Sequence, residues 1–221
     1  MIEILYKNKD FLVCVKPQGI PSQPDTTSSE DMTTLLRVQL DEANENSNIF
    51  VIHRLDRATG GLILYARSKA AAAEFSRLVA EKNGFEKHYV TVVSGKPEQE
   101  NGSMCDYLFK DSVQKKAFVV KSERKGAKLA SLDYEVANTV IHNNNEFSLL
   151  KIKLNTGRFH QIRAQFSSRE MPIWGDGKYG SREKASNFAL WASRLAFTYK
   201  GKKFEFEKDP NFDSIPWNLF I

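Results

Sequence analysis

Short β-rich segments separated by polar turns recur along the chain, whereas only three stretches are predicted to be helical. The first two segments, residues 2–6 and 11–16, flank four polar residues and predict a hairpin. Further strands are predicted at residues 49–52, 61–65 and 88–94, at three or four places between 103 and 154, and over 188–206. Many strands in hairpins with few helices indicate an α+β fold with a mixed, mostly antiparallel central sheet and flanking helices.

Local signals place the three helices. Asp31 is a capping residue for a helix predicted over residues 32–43. A second helix, over residues 69–82, follows the capping residue Ser68. Its apolar side chains have helical spacing and are Ala71, Phe75, Leu78 and Val79. The third helix is predicted over residues 157–168.

The size and composition of the chain favour a globular protein. It has 221 residues with 41% hydrophobic content, enough for a sizeable core, and we expect one domain over residues 1–221. Cys14 and Cys105 have no neighbouring Cys or His at ligand spacing, which argues against a zinc site. The start lacks the apolar stretch of a secretory signal, and no run approaches the ~18 apolar residues of a membrane span. We therefore expect a cytoplasmic protein, and we also expect a monomer.

The net charge of +5 is unevenly distributed. Residues 25–48 have a net charge of −5, whereas residues 110–128 carry seven basic residues against two acidic ones. This basic block is interleaved with Phe109 and Phe118, and lysines near aromatic rings are typical of RNA-binding surfaces. The candidate contacts to an RNA backbone are Lys115, Lys116 and Lys121. The alternative is a solvated hairpin with buried phenylalanines, which explains most charge runs of this kind.

A polar loop, residues 53–60, lies between two predicted strands that require burial. In this loop Asp56 stands between Arg54 and Arg57, and nearby cations favour the ionised form of a carboxylate. An ionised carboxylate suits a nucleophile better than a proton donor. A surface ion cluster that supports a turn is the alternative, although scaffolds commonly hold reactive groups in loops at this position.

Two later motifs differ in what they predict. In the third helix His160 and Arg163 share a face and can bind a carboxylate or a phosphate, although a solvated polar face is an equally good interpretation. The G-x-G-x-x-G pattern at 175–180 lacks the preceding strand, the following helix and the later acid of a dinucleotide site. It predicts a tight turn, in which Asp176 is expected to be structural.

The order of these motifs resembles the RluA-type family of RNA pseudouridine synthases. The matching stretches are residues 4–6 with 15–20, His53-Arg54-Leu55-Asp56-Arg57-Ala58-Thr59-Gly60-Gly61-Leu62, Lys87-His88-Tyr89 with Gly95, residues 157–163, and residues 172–176 with Tyr179-Gly180. They cover roughly residues 4 to 206, and the two motifs that contain Asp56 and Arg163 are together highly specific. Because the match begins at residue 4, the resemblance implies a form without the N-terminal S4-type domain of many relatives.

The resemblance implies an enzyme with a catalytic cleft that isomerises uridine to pseudouridine in structured ribosomal or transfer RNA, without a cofactor or metal. By this resemblance Asp56 is the nucleophile, Tyr89 stacks on the target uracil, and Arg163 forms an ion pair with the Asp56 carboxylate. Arg54 lies where relatives place an arginine that helps to fill the gap left by the flipped nucleotide. The carboxylate can attack C1′, act through a glycal, or add at C6 of the base, and the sequence favours none of these routes.

The sequence departs from the family pattern at three positions. Gly60 stands where many relatives have Ser, Phe159 where Thr is usual, and Gln165 where His is common. These departures bear on the pocket and on substrate choice. Two alternatives stay open: a relative that binds RNA without catalysis, and a carboxylate glycosidase, which needs a second catalytic carboxylate that no motif supplies.

Overall fold

A computed structural model describes residues 1–25, 30–81 and 84–221. The chain divides into two compact units, of which the first comprises Met1–Glu86 with Trp191–Pro210. The second comprises Lys87–Leu190 with Asn211–Ile221. The expectation of one domain stays a prediction. The second helix ends at Ala80, two residues before the predicted Lys82, which lies outside the described residues. Residues 26–29 of the acidic stretch 25–48 also lie outside them.

In the described parts of the chain, eleven strands and three α-helices follow one another, with two short 3-10 helices at Gly177–Tyr179 and Trp217–Phe220. The helices are α1 (Met32–Glu42), α2 (Lys69–Ala80) and α3 (Gln161–Ser167). The strands are β1 (Ile4–Lys7), β2 (Phe11–Lys16), β3 (Phe50–Val51), β4 (Gly60–Ala66), β5 (Phe85–Ser94), β6 (Asn101–Asp111), β7 (Lys116–Val120), β8 (Ala127–His142), β9 (Asn145–Leu154), β10 (Leu190–Tyr199) and β11 (Lys202–Glu207). Strand pairing is mostly antiparallel, which confirms the predicted α+β class with a mixed sheet.

The first unit is built on two strands that are buried along their whole length. β2 and β4 pair antiparallel, from Phe11 opposite Ala66 to Lys16 opposite Gly61. β1 pairs antiparallel with β2, and β3 pairs antiparallel with β4. β10 pairs parallel with β4 and antiparallel with β11. The antiparallel pairing of β1 with β2 confirms the hairpin that the sequence predicts. Strand β4 begins directly after the polar loop, so its pairing fixes where that loop ends.

Aromatic rings form the core of the first unit. The Phe11 ring makes edge-to-face contacts, at centroid distances of 5.2–5.7 Å, with four other rings, which are Phe75, Phe197, Tyr199 and Phe204. Phe75 belongs to α2, whose start is capped as predicted, because the Ser68 hydroxyl accepts a hydrogen bond of 3.2 Å from Ala71 N. Such edge-to-face pairs contribute about 0.5–1.5 kcal/mol each beyond their buried area, so this core holds β2 firmly.

The second unit contains the strands β5-β9-β8-β6-β7 in this spatial order, antiparallel throughout. Four strands, β6 to β9, confirm the three or four predicted between residues 103 and 154. β8 and β9 are joined by Asn143 and Asn144, whose φ angles of 49° and 60° lie in the left-handed region. Asparagine tolerates this conformation better than most residues, which explains why the turn forms at this point.

The third helix is shorter than predicted. The prediction that His160 and Arg163 share a face of this helix is wrong. α3 begins only at Gln161, because His160 has a φ of 51° and precedes the first helical turn. The Gln161 side-chain oxygen accepts a hydrogen bond of 3.0 Å from Arg158 N, and His160 Nδ1 lies 3.0 Å from the Tyr179 hydroxyl. These contacts override the helical pattern of residues 157–160.

Three smaller expectations can be compared with the structure. Gly175 has a φ of 80°, and a Cβ atom there would lie 2.8 Å from Ala185 Cβ, which confirms a tightly packed turn at the glycine-rich pattern. Cys14 is buried and Cys105 is exposed, both as free thiols. Among the helices of the described ranges, none is long and apolar enough to cross a membrane.

Candidate active site

The loop that contains Asp56 is a short turn at the start of β4. The backbone N–H of Thr59 donates a hydrogen bond of 3.0 Å to the Asp56 carbonyl, which closes the turn. Asp56 is half-buried, Leu55 beside it is buried, and Arg54 is exposed. The buried neighbours hold the backbone in one place while the carboxylate stays at the boundary with solvent.

The segment after β2 holds this loop through reciprocal hydrogen bonds. Gly19 N donates to the Arg57 carbonyl over 2.9 Å, and Arg57 Nε donates back to the Gly19 carbonyl over 2.8 Å. The Ser22 hydroxyl donates to the Leu55 carbonyl and accepts from Leu55 N, each over 3.0 Å. Hydrogen bonds on both sides of Asp56 therefore restrict the position from which its carboxylate projects.

Lys16 is a buried lysine that contacts the loop, and the sequence motifs indicated no role for it. It has no exposed surface, and its Nζ donates hydrogen bonds to the carbonyls of Pro17, Ile20 and Arg57 over 2.9, 2.7 and 3.0 Å. Burial lowers the pKa of Lys16 to about 7, while the Asp56 carboxylate raises it and Arg57 lowers it further. This lysine joins the two segments and places its ammonium in the electrostatic field of Asp56.

Gly60 explains one departure from the family pattern. A Cβ atom at this position would lie 2.3 Å from Cζ3 of Trp191, which is paired with Gly60 between the parallel strands β4 and β10. The indole Nε1 of Trp191 donates a hydrogen bond of 2.7 Å to the Lys208 carbonyl, so the ring is held in place. The end of the Asp56 loop therefore requires glycine in this chain, whereas a serine there would displace the tryptophan ring.

In the second unit Arg163 is held on three sides. Its Nε and one terminal nitrogen donate to the two carboxylate oxygens of Asp176 over 2.6 and 2.9 Å. The guanidinium carbon lies 4.8 Å from the ring centroid of Tyr179 and 4.3 Å from that of Phe188. Both partners of this ion pair are almost fully buried. Asp176 is thus structural, as predicted, and sequence reasoning gave no indication that its partner would be Arg163.

Tyr179 brings one of the three candidate lysines to the same place. Lys116 Nζ lies 4.8 Å from the Tyr179 ring centroid, so this ring has both Lys116 and Arg163 near it. The Tyr179 hydroxyl accepts a hydrogen bond of 2.8 Å from Ala117 N, which ties β7 to the turn after α3. Lys115 and Lys121, in contrast, are exposed at the two ends of β7.

Tyr89 lies on β5 opposite Ile152 of β9, and its side chain is buried. Two residues earlier on the same face of the strand is Lys87, for which burial lowers the pKa. If residue 157 had a side chain, its Cβ atom would lie 3.3 Å from Lys87 Nζ. Glycine at this position therefore leaves room for the Lys87 amine. Lys87, like Lys16, is a lysine within the matching sequence motifs for which the sequence indicated no role.

The predicted site residues are divided between the two units. Asp56 and Arg54 belong to the first unit, whereas Tyr89, Arg163 and the three lysines belong to the second. The ion pair between Arg163 and Asp56 that the resemblance implies stays a prediction. Within residues 1–25, 30–81 and 84–221, no cluster of three or more His, Cys, Asp or Glu side chains has the arrangement of a metal site.

Comparisons with known proteins agree with this set of motifs. The family model described as RNA pseudouridylate synthase matches residues 10–168. An RNA pseudouridine synthase of Haemophilus influenzae is 32% identical over 203 residues, covering 90% of this chain and 83% of the relative. The dual-specificity RNA pseudouridine synthase RluA of Escherichia coli K12 is 33% identical over 199 residues, covering 89% and 86%. The solved structure of human RNA pseudouridylate synthase domain containing 1 has a TM-score of 0.82 at 22% identity, covering 99% of this chain and 87% of that one.

Proposed function

The chain belongs to the RNA pseudouridylate synthase family and is an RNA pseudouridine synthase, and we propose that it isomerises specific uridines of structured RNA with Asp56 as the nucleophile and without a cofactor. The observation that carries the proposal is the position of Asp56. It is a half-buried carboxylate in a turn that hydrogen bonds from Gly19 and Ser22 hold on both sides. A fixed carboxylate beside cations is suited to attack on an electrophilic carbon.

The reaction needs one carboxylate and a pocket that retains a free base. The C1′–N1 bond of the uridine breaks, the uracil rotates, and C5 forms a new bond to C1′. The proton on C5 is then lost to solvent and N1 gains one, so the reaction is balanced without an added reactant. The carboxylate attacks C1′, acts through a glycal or adds at C6, and each route starts from an ionised aspartate.

The remaining site residues have binding roles in this proposal. Tyr89 stacks on the target uracil and keeps it in place while it rotates, and Arg163 is the cation that pairs with the reactive carboxylate. Its firm anchoring by Asp176 supports a role that requires a fixed guanidinium. Arg54, which is exposed, fills the space that the flipped nucleotide leaves in the RNA. Flipping costs a few kcal/mol in unstacking, which contacts in the pocket offset.

The substrate in this proposal is a ribosomal or transfer RNA, bound by a cytoplasmic monomer. Lys115, Lys116 and Lys121 contact its phosphates. Seven basic residues between 110 and 128 support this assignment, since none has a carboxylate within 4.0 Å among the residues that the structure describes. Pseudouridine mapping across the total RNA of a deletion strain, against its parent, identifies the modified uridine as a site lost on deletion.

The direct test is Asp56→Asn, assayed by tritium release from RNA labelled at C5 of uridine. We expect isomerisation to be abolished and RNA affinity to be largely preserved, because one carboxylate performs the reaction and many contacts bind the RNA. Asp41→Asn is the matched control, since Asp41 is an exposed acid on α1 of the same unit, and it should keep full activity. Turnover of Asp56→Asn within tenfold of the wild-type rate contradicts the assignment.

A further inference from the structure

The part of the second unit's sheet formed by β7, β6 and β8 has two distinct faces. Paired residues of neighbouring strands share a face, and successive residues alternate between faces. One face carries Leu108, Ala117 and Ala130, which are buried and pack in one cluster with Ala164 of α3 and Tyr179. This face is therefore the side of the sheet that packs into the hydrophobic core.

The opposite face is also apolar and carries several aromatic rings. Phe109 of β6 lies opposite Phe118 of β7 and Ala127 of β8. Two residues along β6, on the same face, Tyr107 lies opposite Val120 of β7 and Leu129 of β8. The Leu129 residue is 47% exposed. The solvent face of an antiparallel sheet commonly carries polar side chains. Phe109 and Phe118 face each other at its centre and are only half-buried, so both rings keep surface that a ligand can cover.

Cations surround these rings. The guanidinium of Arg124 lies 4.5 Å from the ring centroid of Phe109, and Lys116 Nζ lies 5.4 Å from that of Phe118. Arg158, a third cation, donates a hydrogen bond of 2.9 Å from its Nε to the backbone carbonyl of Leu129 on β8. In the described chain no carboxylate lies within 4.0 Å of these three cations, so each keeps a net positive charge for an anionic partner.

We propose that this face binds single-stranded RNA outside the uridine that is isomerised, by stacking unpaired bases on Phe109 and Phe118. Arg124 and Lys116 then neutralise the adjoining phosphates. The combination of aromatic rings on an open sheet face with flanking cations fits a nucleic-acid strand, because bases offer π faces and phosphates offer charge at short intervals. An acidic protein segment would match the charge but not the paired rings. The inference rests on the proposed RNA substrate and adds a second binding surface to it.

The test uses a cytidine RNA decamer with one 2-aminopurine, whose fluorescence falls when the base stacks. The decamer contains no uridine, so it measures binding independently of isomerisation. We expect wild-type protein to quench the probe, and the double variant Phe109→Leu/Phe118→Leu to bind about 5- to 150-fold more weakly for each stacked base. The dependence of affinity on salt should stay unchanged, because leucine removes the ring and no charge. Phe109→Tyr/Phe118→Tyr should retain wild-type affinity, since tyrosine stacks equally well.

Ile141→Ala is the matched control, because Ile141 is 78% exposed on β8 near another hairpin and should not affect binding. Equal affinity of the leucine variant and the wild type overturns the proposal. If the leucine variant does not fold, the wild-type protein decides alone, since salt-dependent binding without quenching also overturns it. Failure of the proposed isomerisation appears separately, as absent tritium release from uridine RNA, and leaves the decamer measurement unaffected.

Discussion

Replacement of Lys16 by Met tests how the buried lysine and the Asp56 loop are coupled. The side chain of Met fills a similar volume but removes the three hydrogen bonds to the carbonyls of Pro17, Ile20 and Arg57. Each carbonyl left without a donor costs about 1–3 kcal/mol. The ammonium itself is destabilising when buried, since a pKa lowered from 10.5 to about 7 corresponds to about 5 kcal/mol of lost stability in acid. Because these two effects oppose each other near pH 7, the change of stability with pH is more informative than its value.

The direction of that change follows from proton binding. Folded protein releases the Lys16 proton near pH 7, whereas the unfolded chain keeps it until about pH 10.5, so the unfolded chain binds more protons in between. The free energy of unfolding of the wild type therefore rises with pH, at up to about 1.4 kcal/mol per pH unit, relative to Lys16→Met. Since the amine is half-titrated at pH 7, the expected gain between pH 7 and 9 is about 2 kcal/mol.

Urea unfolding followed by tryptophan fluorescence at several pH values measures this difference. All other titrating groups are common to both proteins and cancel when the two curves are subtracted. Lys9→Met is a suitable control, because Lys9 is an exposed lysine of the same unit and its amine stays in water in both states. Parallel curves for the wild type and Lys16→Met from pH 7 to 9 would refute the reasoning. The three carbonyls would then keep the ammonium charged against the effect of burial.

Three further variants test the packing and the charges of the structure. Gly60→Ser should lose about 1–3 kcal/mol of stability by overpacking against Trp191, and Gly60→Ser/Trp191→Leu should recover part of it in urea unfolding. Asp176→Ala should lose about 3–5 kcal/mol, because it removes a buried carboxylate that accepts two hydrogen bonds from the Arg163 guanidinium, and Asp176→Ala/Arg163→Met should lose less. In salt titrations of RNA binding, a triple alanine variant should flatten the slope by up to about three, one for each phosphate that a lysine no longer neutralises; an unchanged slope means a solvated face. The positions of this triple variant are Lys115, Lys116 and Lys121.

Local sequence signals predicted most of the fold. The caps at Asp31 and Ser68, the period of the second helix and the polar turns between β-rich segments are properties of neighbouring residues, and they are confirmed. The loop around Asp56 could also be located, because two strands that need burial flank a polar stretch. Each of these predictions depends on residues within about one helical turn or one hairpin of each other.

The missed features depend on residues that are distant along the chain. Nothing near His160 indicates its left-handed conformation, which is associated with a hydroxyl nineteen residues later, on Tyr179. The partner of Arg163 comes from a turn thirteen residues on, and the carbonyl of Arg57 reaches Lys16 across forty-one residues. A lysine at the end of a strand is expected in solvent, and only the tertiary arrangement of carbonyls makes its burial possible.

The charges of the chain suggest that catalysis and RNA binding are separable by mutation. On the rest of the described surface several basic residues have acidic partners, as Lys7 has Glu45 and Arg77 has Glu81. The basic residues from 110 to 128 have none within 4.0 Å in the described part of the chain. Exposed cations without an acidic partner contribute little to folding, so removal of Lys115 and Lys121 should change stability by no more than about 0.5 kcal/mol. Removal of Lys116, whose amine lies near two rings, should cost about 0.5–1 kcal/mol. The lysine variants should therefore weaken RNA binding in a folded protein, whereas Asp56→Asn should bind RNA and not isomerise it. If a lysine variant lost isomerisation activity even at saturating RNA concentration, RNA binding and catalysis would not be separable by mutation.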